Sequence, residues 1–209
     1  GQAGFVLAKG SLTTRTNNPP TQTKTLHLHP GLGMNTFRDV SADNTSTNIP
    51  AFSSAYFQQT AAMQTAFAIL SPVQARLFIG TNNVARSIGV SLFATNGVST
   101  IPIGPVVTQN VNTANNPGAA TTFTINLAAP VTVPAGYRVT LQIQNNSASN
   151  NVGVWHDVVP TPSSRIDFST TTYIQVTTAA AYNAAYPAGA APASFAPTGV
   201  AAGAYLWAY

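Results

Sequence analysis

The sequence has no cysteine and no glutamate, and only 6% of its 209 residues carry a charged side chain. Ordinary soluble domains carry roughly 25%. Without cysteine the fold uses no disulfides, so a core must hold it together unaided, and this length allows that. The acids are Asp39, Asp43, Asp157 and Asp167. A paired-carboxylate glycosidase would therefore have to use two aspartates. No nucleophile-elbow motif accompanies the serines and histidines, as a serine hydrolase would need. Gly31-Leu32-Gly33 is too short for a phosphate-cradling loop. The expectation is no enzyme and no cofactor. Long apolar runs are also missing, so no helix is expected to span a membrane.

The net charge is +4, but the eight cations, from Lys9 to Arg165, stand singly along the chain. Phosphate binding needs a cluster or stripe, so no nucleic-acid partner is expected. Polarity comes instead from Thr, Asn, Ser and Gln. A surface this poor in charge has little repulsion to keep copies apart. It suits self-association or a covering of sugar. Two sequons, at Asn44 and Asn145, are candidate N-glycosylation sites. The first residues are Gly1-Gln2-Ala3-Gly4 rather than Met, which reads as an end left by processing.

Short β-rich runs separated by Pro, Gly and Asn clusters predict an all-β jelly roll or β-sandwich of about eight to ten strands. The clearest signal is "VTVPAGYRVTLQIQNN", residues 131–146. Tyr137, Val139, Leu141 and Ile143 alternate with Arg138, Thr140, Gln142 and Gln144, as on a half-buried strand. Val73 to Ile79, Ser87 to Ala94, Thr121 to Leu127, Val152 to His156 and Arg165 to Phe168 read as further strands. The stretch from Ala55 to Leu70 reads as a strand, a turn and a second strand rather than a helix. Ile101 to Thr108 carries Pro102 and Pro105 and suits an edge or a bulge rather than a central strand. Arg38 to Pro50 is polar and reads as loop.

Three segments follow: an N-terminal arm with a first strand (1–24), the jelly-roll sandwich (25–178), and an Ala/Pro/Tyr-rich C-terminal arm (179–209). From Phe168 to the end no residue is charged. Disordered tails are usually polar and poor in aromatics. This one carries Tyr182, Tyr186, Phe195, Tyr205, Leu206, Trp207 and Tyr209, which need cover. They could fold back on the chain's own sandwich or pack on a neighbouring copy, and the second is preferred. Phe5, Val6 and Leu7 would serve the same way at the other end.

Other constellations carry less. Trp155 with His156 and Asp157 is a candidate sugar-binding group, set against a core role for the tryptophan. His27, His29 and His156 could meet at a metal, set against local hydrogen bonds. Asp39 and Asp43 are weak calcium candidates, set against turn chemistry. Arg165 should pair with Asp157 or Asp167 and tie down the closing strand.

"LHLHPGLGMNT", "VPAGYRVTLQI" and "VWHDVVPTPSSRIDF" together resemble a module found in secreted and cell-surface proteins of bacteria and archaea. The residues that carry the likeness are Leu26-His27, Met34-Asn35-Thr36, Val133 to Val139, Trp155 and Ser163-Ser164-Arg165-Ile166. The resemblance implies a jelly roll similar to carbohydrate-binding modules, and an extracellular or cell-surface location. It implies no activity, since fold does not fix function. Such modules usually decorate a larger protein. Here the module and two arms make up the whole sequence, as expected of a building block. The first expectation is thus a structural subunit polymerising with itself into a filament, tube, sheath or surface layer by exchange of its arms. A carbohydrate-binding or adhesion module is the alternative, with glycans as partners, and a jelly-roll virion protein is the third reading.

Overall fold

The structure is a computed structural model that describes residues 13–15, 24–36, 45–156, 163–170, 174 and 205–207. The chain is all-β and forms a β-sandwich. The strands are β1 (Thr13–Arg15), β2 (Thr25–His29), β3 (Gly33–Asn35), β4 (Ser46–Ile49), β5 (Ser54–Gln59), β6 (Phe67–Gly80), β7 (Arg86–Thr95) and β8 (Thr100–Pro102). They continue with β9 (Val107–Val111), β10 (Thr121–Ile125), β11 (Val131–Val133), β12 (Arg138–Asn145), β13 (Val152–Trp155), β14 (Arg165–Ser169) and β15 (Tyr205–Trp207). Thirteen of the described strands hydrogen-bond in the order β4-β13-β6-β14-β2-β3-β5-β12-β7-β8, with β10 and β11 also on β6 and β9 on β7. The β3–β5 pair is parallel.

The period-2 pattern decides what is inside. On β6, Val73, Ala75, Leu77 and Ile79 are buried, and on β7 Ile88, Val90 and Leu92. On β12, Val139, Leu141 and Ile143 are wholly buried, and Phe57 on β5 joins them. Each valine, leucine, isoleucine or phenylalanine among them contributes about 1.5–3 kcal/mol by leaving water. β6 is the long spine. Its first part pairs with β11 through Phe67 to Ile69, and its second with β10 through Val73 to Leu77. The change of partner falls at the cis Ser71–Pro72 peptide. There Ser71 Oγ accepts the Leu127 N–H at 3.0 Å.

Two segments differ from the sequence-based expectation. The polar stretch expected as loop contains β4, which pairs along β13 from Ile49↔Val152 to Ser46↔Trp155. An edge strand needs few apolar residues, so its pattern is silent. The stretch from Ile101 to Thr108 lies at the sheet margin, as expected, but is divided into two strands, since Gly104 takes a φ of 76° between them.

Ser164 joins four strands at once. Its N–H donates to His156 O and its carbonyl accepts from Leu28 N, both at 2.9 Å. Its hydroxyl accepts from Phe78 N at 2.9 Å and donates to Trp155 O at 2.5 Å. Beside it, Ser163 Oγ lies 2.7 Å from His27 Nδ1. Arg165 then bonds both carboxylate oxygens of Asp167 at 3.1 Å. Arg76 Nε lies 3.0 Å from Asp167 Oδ2, and Thr25 donates to Oδ1 at 2.9 Å. The Ser163-Ser164-Arg165-Ile166 run is therefore a clasp that closes β14 onto β2 and β6.

Candidate ligand-binding face

The outward side of the β5–β12–β7 sheet carries uncharged amides and two aromatic rings. In register, Gln142 lies between Tyr56 on β5 and Ser91 on β7, Gln144 between Ser54 and Gly89, and Thr140 between Gln58 and Phe93. Gln142 Nε2 donates to Tyr56 Oη and to Ser54 Oγ, both at 3.1 Å. Its Oε1 accepts from Ser91 Oγ at 3.0 Å. The Tyr56 ring stands edge-on to Phe93, centroids 6.5 Å apart at 69°. Tyr56 is nonetheless 49% exposed. A large ring held in place but left half in water is a feature of recognition surfaces. Gln58 donates to Thr140 Oγ1 at 3.3 Å.

At one end this face runs into a cleft of about 340 Å³, lined by Gln58, Ala62, Thr95, Asn96, Gly97, Gly136 and Arg138. Its walls are two turns. In the β7–β8 turn, Asn96 Oδ1 accepts from Val98 N at 2.9 Å and Ser99 N at 2.8 Å. In the β11–β12 turn, Gly136 N donates to Met63 O, and Tyr137 O accepts from Met63 N, both at 2.8 Å. Tyr137 Oη bonds Ser99 Oγ, tying one wall to the other. Gly97 and Gly136 have φ of 87° and 85°, a backbone region that only glycine enters without strain. Open space lies over both.

The residues singled out from sequence fall elsewhere. His156 is buried, with its ring edge-on to Phe57 at 5.8 Å. Its two nitrogens lie 3.1 Å from Thr45 Oγ1 and 2.7 Å from Thr47 Oγ1. It is packing, so the candidate sugar group loses its histidine. Trp155 is half-buried and donates from Nε1 to Asn115 O at 2.7 Å. Asp157, Asp39, Asp43 and Asn44 lie outside the described residues. So do Phe5, Val6, Leu7, Tyr182, Tyr186, Phe195 and Tyr209. Among the described residues no group of three His, Cys, Asp or Glu side chains stands together. No helix among them is long and apolar enough to cross a membrane.

Asn145 is a correction. It is wholly buried, and Nδ2 donates to Ile49 O at 3.2 Å and Asn150 O at 3.0 Å. A folded chain offers no room for a glycan there. A short part of each arm is described. Tyr205–Trp207 pairs antiparallel with Thr13–Arg15 of the same chain, Thr13 opposite Trp207.

No protein-family model matches this sequence. Among solved structures, an alpha-amino acid ester hydrolase is similar, with a TM-score of 0.55 at 12% identity. An aminopeptidase from a marine sediment archaeon, Thaumarchaeota archaeon, gives 0.55 at 10%. A CocE/NonD family hydrolase from Staphylococcus aureus gives 0.50 at 9%. The matches cover 71–75% of this chain but only 36–37% of theirs. The likeness is one of fold. It corrects the exclusion of enzymes drawn from composition, because this sandwich recurs within hydrolase chains. The scarcity of acids in one such domain does not decide the chemistry of a chain that contains it.

Proposed function

We propose that this protein is a carbohydrate-binding module acting outside the cell, and that the outward face of β5, β12 and β7 is its binding surface. One observation carries the reading: Gln142 bonds the Tyr56 hydroxyl and two serines, holding an exposed aromatic ring upright amid uncharged amides. Sugar rings offer C–H faces that stack on aromatic rings, and hydroxyls that exchange hydrogen bonds with amides. Gln144 has no hydrogen-bond partner of its own among the described residues and remains open to a ligand. The low charge of the face leaves ring stacking and amide hydrogen bonds to carry the contact with a sugar chain. The resemblance to secreted jelly-roll modules points the same way.

The test is binding to a panel of immobilised neutral polysaccharides. Tyr56→Ala and Gln142→Ala should each weaken binding by about 1–2 kcal/mol, whereas Trp155→Ala should leave it unchanged. Loss confined to Trp155→Ala would move the site to β13 and end this reading.

Self-assembly is a second reading, favoured by apolar side chains left in water. Val98 is 95% exposed, Phe52 69% and Val106 63%. With little surface charge to oppose it, contact between copies would cover them. Light scattering across a concentration series, with electron microscopy of the same samples, tests it. A monomer at every concentration rules it out.

A further inference from the structure

We infer that the cleft at the end of the amide face receives a carboxylate, so that the preferred ligand is a polysaccharide containing acidic sugar residues. The inference rests on the carbohydrate-binding reading and adds the class of sugar. Arg138 opens β12 on the outward side, directly opposite Thr95. It is exposed and lines the cleft. Among the described residues it has no carboxylate or carbonyl partner.

Its position contrasts with the arginines beside Asp167. Arg76 and Arg165 are both consumed there in holding strands together. Arg86 reaches Ser149 at 3.4 Å. Among the described residues of this face, Arg138 is thus the one charged side chain, and its guanidinium is unpaired. A guanidinium is a planar fork that matches a carboxylate with two parallel hydrogen bonds.

The setting is preorganised. Asn96 locks one turn, the Met63 backbone locks the other, and the Ser99–Tyr137 contact links them. Both glycines expose bare backbone to a ligand. Gln58 and Thr95 add neutral donors and acceptors for the hydroxyls of the same sugar. A cleft of this volume accommodates one or two sugar rings, and the remaining chain would run out over Tyr56 and Phe93.

The experiment compares polygalacturonate with its methyl ester, which keeps the polymer and removes its charge. The protein should bind the acid form roughly tenfold more tightly, the increment of one charge-assisted contact. That preference should shrink as salt is raised. Arg138→Gln should abolish that preference, so that acid and ester bind alike. Lys9→Gln, which removes an equal charge, should not. Equal affinity for acid and ester overturns the inference and leaves the carbohydrate reading standing. An equal loss in both variants also overturns it, since the attraction would then be net charge alone. If neither polymer nor any neutral polysaccharide binds, both readings fall.

Discussion

Gly80, at the end of β6, runs so close to Asn115 that a Cβ built on it would stand 2.3 Å from the Asn115 carbonyl oxygen. No side chain fits there, and the obstacle is backbone rather than a movable tip. Gly80→Ala should therefore push the 112–118 loop outward and destabilise the fold by about 1–3 kcal/mol. The same carbonyl accepts from Trp155 Nε1. Thermal melting followed by Trp155 fluorescence, in a Trp207→Phe background, should show a lower midpoint and a red-shifted native spectrum.

Ser164→Ala removes the acceptor of the buried Phe78 N–H and the donor to Trp155 O. An unpaired buried N–H costs about 1–3 kcal/mol. Urea denaturation should show that loss with an unchanged slope. A similar loss should not follow Ser99→Ala, which sits on an exposed turn.

Asp167→Asn should cost less, about 1 kcal/mol, because the Arg76 side chain is 42% exposed and water screens the pair. The loss has a distinctive signature. Arg165 lies opposite Arg76 in the ladder, so without the carboxylate two like charges face each other. The deficit should be largest at low salt and shrink as salt is added. A deficit that ignores salt would assign the role to the Thr25 hydrogen bond instead.

Asn145 should remain unmodified in protein made by a glycosylating host, as peptide mass spectrometry would show. Asn145→Asp replaces a donor to two carbonyls with a group that only accepts. It should destabilise by about 2–3 kcal/mol, read from the thermal midpoint.

Much of the fold was legible because burial imposes a period of two. The alternation through Tyr137 to Gln144 announced β12 and both of its faces, and the runs around Val73, Ser87 and Phe123 did likewise. What stayed hidden had no periodic signal. β4 is a polar edge strand, and β3, β8 and β11 are three residues each. Pro72 sits within β6, where proline normally argues against a strand. The candidate face was half visible: Gln142 and Gln144 read as an outward side, but nothing local says that Tyr56 and Phe93 flank them. The cleft was invisible, since its walls come from turns about forty residues apart that meet only after β12 pairs with β7. Trp155 and His156 drew attention by residue type. Their ring nitrogens meet threonine hydroxyls and a backbone carbonyl, as ring nitrogens within a fold commonly do.

The Thr25↔Asp167 and His27↔Arg165 pairings set a condition on how the protein is made. β2 leaves the ribosome some 140 residues ahead of this partner. Closing so long a loop is slow, and until it closes one margin of β2 and one margin of β6 stay bare. A nascent chain stalled before Arg165 would be adhesive along those margins. Synthesis rate and chaperone capture, more than the final stability, should then govern how much native protein a cell recovers.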